Sequence, residues 1–293
     1  MRNKSGFSTA AARPFSGRWA SSGFPVRCRA KDLQQMGGKN HWAFVPDRLS
    51  SRSMMGSILN SAGILAGGAI GLAWRKQPSA ANQQLFKIVL GAFTVFAGLR
   101  LTWDSLNGSF WQVLRQVLVL LLALILGRMI GRLLRLQHFS NSLGQYARDQ
   151  IARAGSTRGG SPAGIGFKTC AALYCAAPLG LLGAIQEGLS GYFYPLVIKG
   201  VLEGLATLGF ISIFGWGVLL SALPVLVLQG TISLLCSRFL LPVLSAHSLV
   251  DPINAVGGML VFTVALVIFD LKKLEVTNYL PSLAVAPLLT LLF

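Results

Sequence analysis

Two short acidic segments interrupt apolar stretches of this sequence. Residues 186–189 (QEGL) and 202–205 (LEGL) each place a carboxylate directly before a glycine, where a helix can unwind and free backbone carbonyls. Lys199 precedes Glu203 by four residues, so the two side chains share one helix face and can pair. Charges within a membrane are costly and usually face an interior or a water-filled cavity. The pattern therefore suits a cation or proton site.

Side-chain amides accompany these charges. Gln229 precedes Gly230 in another apolar stretch, and Asn278 with Pro281 predicts a helix break. The candidate residues of an ion or solute pathway are Asn60, Gln186, Glu187, Lys199, Glu203, Gln229 and Asn278. A structural interpretation stays open beside this one. In it, Lys199 and Glu203 neutralise each other, and Glu187 caps a helix at the membrane interface.

Enzyme chemistry has little support in the sequence. Cys170 and Cys175 are five residues apart, which matches no zinc spacing and places them on different lines of a helix. No Walker, Rossmann or nucleophile-elbow pattern occurs, and no Ser–His or Asp–Asp pair is placed for hydrolysis. We therefore predict that the protein is not an enzyme, with no catalytic residues, no cofactor and no metal site.

The composition explains where such residues must lie. Of the 293 residues, 53% are hydrophobic and only 12% are charged, and the net charge is +17. Soluble domains carry about a quarter charged residues. These values exclude a disordered chain, a disulfide-stapled secreted domain and an ordinary cytosolic enzyme. They predict an all-α protein that crosses the membrane several times.

Hydropathy divides the chain into spans, because a bilayer core requires about 20 apolar residues in a helix. We predict a bundle of seven full spans plus a short eighth at 280–293. The full spans are 56–74, 85–103, 111–130, 167–185, 193–214, 217–237 and 253–271. The transmembrane domain is thus 54–293, and it includes a long basic loop at 128–166.

The loop 128–166 sets the orientation, because short cytoplasmic loops carry the excess of Lys and Arg. Counting spans from it places Arg75-Lys76 and Lys272-Lys273 inside and Glu187 outside. Residues 130–151 of the loop predict a basic amphipathic helix. Its expected partners are the bilayer and anionic lipid headgroups. Nucleic acid is disfavoured because no aromatic residues alternate with the basic ones. A homo-oligomer is a further candidate assembly.

Residues 1–53 are set apart by ten basic residues against two acidic ones. They fit either an organellar transit peptide or an upstream extension of the reading frame. We favour the extension, because a strongly basic tail outside the membrane would break the positive-inside rule. On either interpretation this basic, disordered segment does not belong to the fold.

Glycines repeat at helical spacing in two of the predicted spans. Gly63, Gly67 and Gly71 form one row, and Gly180 belongs to a second row of small residues from Ala172 to Gly188. Such rows let helix backbones approach closely. A shift of 112 residues superposes spans one to three on spans four to six, with Lys87 on Lys199. The odd number of spans per copy suggests an inverted 3+3 repeat.

The sequence from Met55 to Phe293 resembles a known family, the bacterial inner-membrane proteins grouped as domain of unknown function 554. The resemblance rests on the motifs at 56–71, 184–189, 199–204, 217–224, 229–230, 255–258 and 278–281. It implies a membrane location and topology, and no substrate. Glu187 and Glu203 stand where family members more often have Asp, so the acidity is kept while the side-chain reach changes.

Together these features predict a secondary transporter or permease-like protein for an ion or small solute. The alternative is a membrane scaffold or regulator that does not transport and acts through the basic loop 128–166. Flux through reconstituted variants at Glu187 and Glu203 would separate the two.

Overall fold

The computed structural model of the chain describes residues 54–73, 79–154, 161–271 and 274–292. All of them fall within one structural unit. The prediction for residues 1–53 lies outside this described part, as do Arg75-Lys76 and Lys272-Lys273.

The described residues form α-helices joined by short turns, and no β-strand occurs among them. This agrees with the all-α class that the composition predicts. In chain order, the helices are α1 (Met55–Ala73), α2 (Ala80–Asp104), α3 (Phe110–Leu133), α4 (Leu136–Ala154), α5 (Pro162–Ala176), α6 (Pro178–Ser190), α7 (Tyr194–Phe214), α8 (Ala222–Leu235), α9 (Leu241–Ala246), α10 (Val250–Ile268), α11 (Val276–Tyr279) and α12 (Ser282–Leu292). A 3₁₀ segment (Gly215–Ser221) joins α7 to α8, and a π-helical turn (Cys236–Leu240) joins α8 to α9.

Five helical segments of the described chain are long and apolar enough to cross a membrane, or six when the bent pair α5 and α6 counts as one. The five are α1, most of α2, α3, the 53-residue stretch Tyr194–Ala246, and α10. Large apolar side chains are exposed along these helices, for example Leu85, Phe96, Ile125, Leu223 and Val227. This apolar outer surface fits lipid as the surrounding solvent.

The predicted span 167–185 differs from the structure, which breaks it at Ala177. Helices α5 and α6 meet there at 57°. Ala177 is extended (φ −63°, ψ 122°) because the ring of Pro178 disfavours helical geometry in the preceding residue. The predicted row of small residues from Ala172 to Gly188 is therefore divided between two helices.

The predicted amphipathic helix 130–151 is likewise two helices. Helix α3 continues to Leu133, and α4 begins at Leu136 after Arg135 adopts φ 52°. Helix α4 then packs against α5, and Ala147 is buried. Arg128 and Arg132 thus extend the membrane helix α3, while Arg148 and Arg153 belong to α4.

Two pairs of helices make the most extensive contacts, and glycines lie at both. Helix α1 runs parallel to α7: a Cβ on Gly67 would come within 2.6 Å of the Cα of Gly204, and Gly200 meets Asn60. Helix α2 runs antiparallel to α10: a Cβ on Gly98 would lie 2.7 Å from the carbonyl oxygen of Gly258. Gly71 differs, because a Cβ there would make only ordinary contact with Leu208.

Candidate functional site: a buried polar cluster between the helices

An ion pair lies buried on α7. Lys199 and Glu203 are 2% and 6% exposed, and the Lys199 ammonium donates directly to Glu203 Oε1. Lys199 Nζ also donates to the carbonyl oxygen of Tyr174 at 3.0 Å. In a continuous helix that carbonyl would accept from the N–H of residue 178. Since Pro178 has no N–H, the same proline that bends the chain frees an acceptor for Lys199.

Two amides extend this pair toward α1 and α8. Asn60 Nδ2 donates to Gln229 Oε1 at 2.8 Å, and both residues are buried. Asn60 also lies within interaction range of the Glu203 carboxylate. Gly180 makes room for the arrangement, because a Cβ there would lie 2.7 Å from Lys199 Cε and 2.9 Å from Gln229 Nε2. Gly180 thus borders the polar side chains rather than a neighbouring helix backbone.

The hydroxyl groups of Tyr174 and Thr207 also border the Lys199–Glu203 pair. Tyr174 Oη and Thr207 Oγ1 are 2.8 Å apart, and Thr207 Oγ1 donates to the backbone carbonyl of Glu203 at 2.7 Å. We call Asn60, Tyr174, Lys199, Glu203, Thr207 and Gln229 the buried polar cluster. Within the described residues, two of its oxygens, Asn60 Oδ1 and Glu203 Oε2, are buried without a hydrogen-bond partner.

Glu187 has a different environment from Glu203. It is 1% exposed and accepts hydrogen bonds from the backbone N–H of Gly56 and, at 2.9 Å, from Ser57 Oγ. These groups belong to the first turn of α1, whose N–H groups have no partner within the helix. A carboxylate is favoured at this positive end of the helix dipole. Glu187 therefore caps α1 from another helix, one turn away from Asn60.

The expected unwinding at the two Glu-Gly pairs does not occur. Both pairs lie inside continuous helices, α6 and α7. Their glycines instead allow close contacts: Gly204 meets Gly63, and a Cβ on Gly188 would lie 2.6 Å from Cys236 Cβ. The backbone carbonyl that becomes free is that of Tyr174, at the proline break.

Two predicted residues lie away from the cluster. Gln186 is fully buried and faces Gly257 of α10, with neither amide atom hydrogen-bonded to any described residue. Asn278 accepts from the N–H of Gln137 at 3.0 Å and donates to Glu275 at 2.9 Å. It holds the α3–α4 turn near the Arg132–Glu275 ion pair, so the predicted set is not one site.

Sequence reasoning missed Tyr174 and Thr207. Pro178 was the available signal for Tyr174, because a proline exposes the carbonyl four residues before it. Thr207 lies four residues after Glu203 and so shares its helix face. In the described part of the chain, no group of three His, Cys, Asp or Glu is arranged to hold a metal ion.

Comparisons with known proteins agree with a membrane location. The family described as "Protein of unknown function (DUF554)" matches residues 55–291, and the chain belongs to this family. It is 26% identical to the uncharacterized membrane protein YdfK of Bacillus subtilis over 80% of this chain and 94% of that protein. It is 32% identical to the uncharacterized protein YqgA of Escherichia coli over 39% of this chain and 48% of that protein. No solved structure matches the chain. The protein is thus an integral membrane protein of this family.

Proposed function

We propose that the protein is a permease for an ion or small solute and that the Glu203–Lys199 pair couples transport to a cation or proton. The observation that carries this proposal is the ion pair itself, buried on α7, together with two oxygens, Glu203 Oε2 and Asn60 Oδ1, that no described residue donates to. Taking two charges out of water costs several kcal/mol per ion, and apolar replacements often stabilise a protein. If the helices only had to pack against each other, apolar residues at positions 199 and 203 would be sufficient.

The cluster also suggests how coupling would work. Glu203 Oε1 is neutralised by Lys199, while Glu203 Oε2 and Asn60 Oδ1 remain acceptors. A proton or hard cation that binds these oxygens would compete with the Lys199 ammonium for the carboxylate. If Lys199 moved away, its hydrogen bond to the Tyr174 carbonyl oxygen would weaken. Helix α7 would then be less firmly attached to the break between α5 and α6. Glu187, which caps α1, would then position α1 rather than bind the cation.

We further propose seven full crossings plus a short eighth formed by α11 and α12. The parallel contact of α1 with α7 requires an odd number of crossings between them, and α2, α3 and the bent pair α5–α6 supply three. The antiparallel contact of α2 with α10 requires an even number of crossings between these two helices. We therefore propose that Tyr194–Ala246 crosses twice, with its turn at the 3₁₀ segment, where Gly215 has φ 72°.

The charged residues at one end of the bundle support a proposal for its orientation in the membrane. Arg132 pairs with Glu275, and Lys87 pairs with Asp270, so the end of α3, the start of α2 and the end of α10 lie together. We propose that this end is cytoplasmic in a bacterial inner membrane, in accordance with the positive-inside rule. Reporter fusions after residues 55, 140 and 190 should then read outside, inside and outside. An inside signal at 55 would contradict this orientation.

The inverted 3+3 repeat stays a prediction. The 112-residue shift relates α1 to α5–α6 and α2 to α7. A repeat would therefore match the contact of α1 with α7 by a contact of α5–α6 with α2. That second contact is not among the extensive contacts of the described chain. Homo-oligomerisation also stays a prediction, to be tested by the mass of the purified protein in detergent.

The central experiment reconstitutes the protein in liposomes and measures H⁺, Na⁺ and K⁺ flux separately. Glu203→Gln keeps the side-chain shape and removes the charge. We expect it to lower the wild-type flux at least tenfold. Asp270→Asn is the matched control, since it makes the same change in an exposed ion pair, and it should retain flux. Retention of every wild-type flux by Glu203→Gln would refute the coupling proposal.

A second candidate function is a scaffold or regulator that acts through the basic loop 128–166 and does not transport. Helix α4 and the preceding turn support it, because Leu133, Leu134 and Phe139 are 83%, 60% and 67% exposed beside basic residues. Such a surface suits anionic lipid headgroups. Arg135→Gln with Arg148→Gln should weaken binding of the purified protein to phosphatidylglycerol, and Glu203→Gln should leave that binding unchanged. Neither candidate function involves catalysis.

A further inference from the structure

A cavity of about 440 Å³ lies at the end of the bundle opposite the Arg132–Glu275 pair. Its walls come from the turn between α2 and α3, from the first half of α3, from the start of α10 and from α12. The cavity shares no lining residue with the buried polar cluster. Its volume falls in the range of about 300–1,000 Å³ that is typical of small-molecule sites.

The cavity is apolar at its floor and polar at its rim. Val119, Leu120, Ala255, Val256 and Ala286 form a buried floor. The rim consists of exposed polar residues from two separate parts of the chain: the α2–α3 turn with the first half of α3, and the start of α10 with the residues just before it. This division suits a ligand with an apolar body and a polar end, because the body leaves water while the polar groups stay paired.

The turn that forms one side of the rim is held in place by side-chain hydrogen bonds. Asn107 N–H donates to Gln116 Oε1 at 3.1 Å, and Gln116 Nε2 donates to the Asn107 carbonyl oxygen at 3.0 Å. Gln112 Oε1 accepts from the N–H of Ser109 at 2.8 Å. Part of the rim is therefore formed before any ligand arrives, which lowers the entropy cost of binding.

The rim carries one cation and one anion, Arg115 and Asp251. The described residues contain four ion pairs, and neither Arg115 nor Asp251 takes part in them. We infer that the cavity binds a zwitterion with an apolar body, whose anionic group meets Arg115 and whose ammonium group meets Asp251. This inference does not depend on the transport proposal, since binding can be measured without flux.

Two sources can supply this chemistry. One is a free amino acid with an apolar side chain, and the other is the headgroup of a zwitterionic phospholipid with part of its chain on the apolar floor. Both present an anion and an ammonium group on one molecule. They differ in whether the ligand enters from water or from the bilayer.

The test measures binding to the purified full chain with one probe for each source. L-leucine is titrated in detergent and compared with 4-methylpentanoate, which lacks the ammonium group, and with 3-methylbutylamine, which lacks the carboxylate. Phosphatidylethanolamine is compared with phosphatidylglycerol by native mass spectrometry. We expect at least one zwitterion to bind ten times more tightly than its singly charged counterparts. Binding of leucine alone identifies a free solute, and binding of phosphatidylethanolamine alone identifies a lipid.

Variants then test the two charges separately. Arg115→Gln and Asp251→Asn should each weaken zwitterion binding about tenfold, or 1.4 kcal/mol. They should also change the preference: Arg115→Gln toward the amine and Asp251→Asn toward the acid. Arg100→Gln and Asp104→Asn are matched controls, because these residues pair with each other at 3.5 Å on α2 and do not line the cavity. Failure of both zwitterions to bind, or wild-type binding by both cavity variants, would overturn the inference.

Discussion

The two most extensive helix contacts among the described residues share their packing and differ in their chemistry. At the α1–α7 contact, Gly63 and Gly67 meet Gly200 and Gly204. At the α2–α10 contact, Gly98 meets Gly258. The first contact borders the buried ion pair and the amide of Asn60. The second offers one hydroxyl group, Thr102 Oγ1, which donates to the carbonyl oxygens of Gly98 and Ala255 at 3.1 Å each.

The difference teaches that small residues by themselves identify packing and not function. Glycine lets two backbones approach in both places. Only at the α1–α7 contact does the close approach bring charged and amide groups together in an apolar surrounding. Variants that alter one contact and not the other can therefore separate an effect on stability from an effect on the proposed transport.

The largest expected effect is that of Lys199→Met, which leaves Glu203 buried without its cation. We expect a loss of about 4 kcal/mol in the free energy of unfolding, as for other broken buried pairs. Unfolding in mixed detergent micelles measures it. The double variant Lys199→Met with Glu203→Gln should recover most of that loss and still lack flux. A double variant with wild-type flux would show that the pair is structural.

Alanine at the glycines should affect both contacts about equally. Gly67→Ala and Gly98→Ala each place a Cβ against backbone atoms, so each should lower the unfolding free energy by about 2 kcal/mol. Gly71→Ala is the control, because a Cβ there has room. In folded protein, Gly67→Ala should reduce flux more than Gly98→Ala does. Equal reductions in flux would contradict the functional distinction between the α1–α7 and α2–α10 contacts.

Thr102→Val removes the hydroxyl group of the α2–α10 contact. We expect it to lower the unfolding free energy by about 1 kcal/mol, the usual contribution of one hydrogen bond. Flux should stay within twofold of the wild type, since no residue of the buried polar cluster contacts this hydroxyl in the described structure. A large loss of flux without a loss of stability would place the α2–α10 contact in the transport path as well.

Asp270→Asn should have the smallest effect. Its partner is Lys87 at 3.3 Å, and both side chains are more than half exposed. Exposed pairs contribute less than about 1 kcal/mol, and salt screens them. The thermal midpoint should therefore shift by no more than a few degrees. A shift as large as that of Lys199→Met would mean that this end of α2 and α10 is stabilised mainly by charge.

Much of the fold was predictable because membrane helices are encoded locally. A run of apolar residues marks a span without reference to any other part of the chain. The bend at Ala177 was also encoded locally, in Pro178, although hydropathy alone did not separate α5 from α6. The turn at Arg135 was harder to predict, because a non-glycine residue with φ 52° gives no clear sequence signal.

The candidate site was predictable only in part. The i, i+4 spacing of Lys199 and Glu203 predicted their pairing correctly, because both lie on one helix. The contact of Asn60 with Gln229 joins residues 169 positions apart. Spacing within a helix says nothing about such a pair. The sequence therefore supplied the residue types, and the fold selected which of them meet.

The sequence alone determined the class of protein, the approximate spans and the residues whose burial needs an explanation. It could do so because hydropathy and helical periodicity act over a few turns of one segment. The tertiary structure decided that Glu187 caps α1, that Lys199 reaches the carbonyl freed by Pro178, and that Arg115 and Asp251 share one cavity. These contacts depend on the direction and rotation of helices that are distant in the chain, and packing against all their neighbours fixes both.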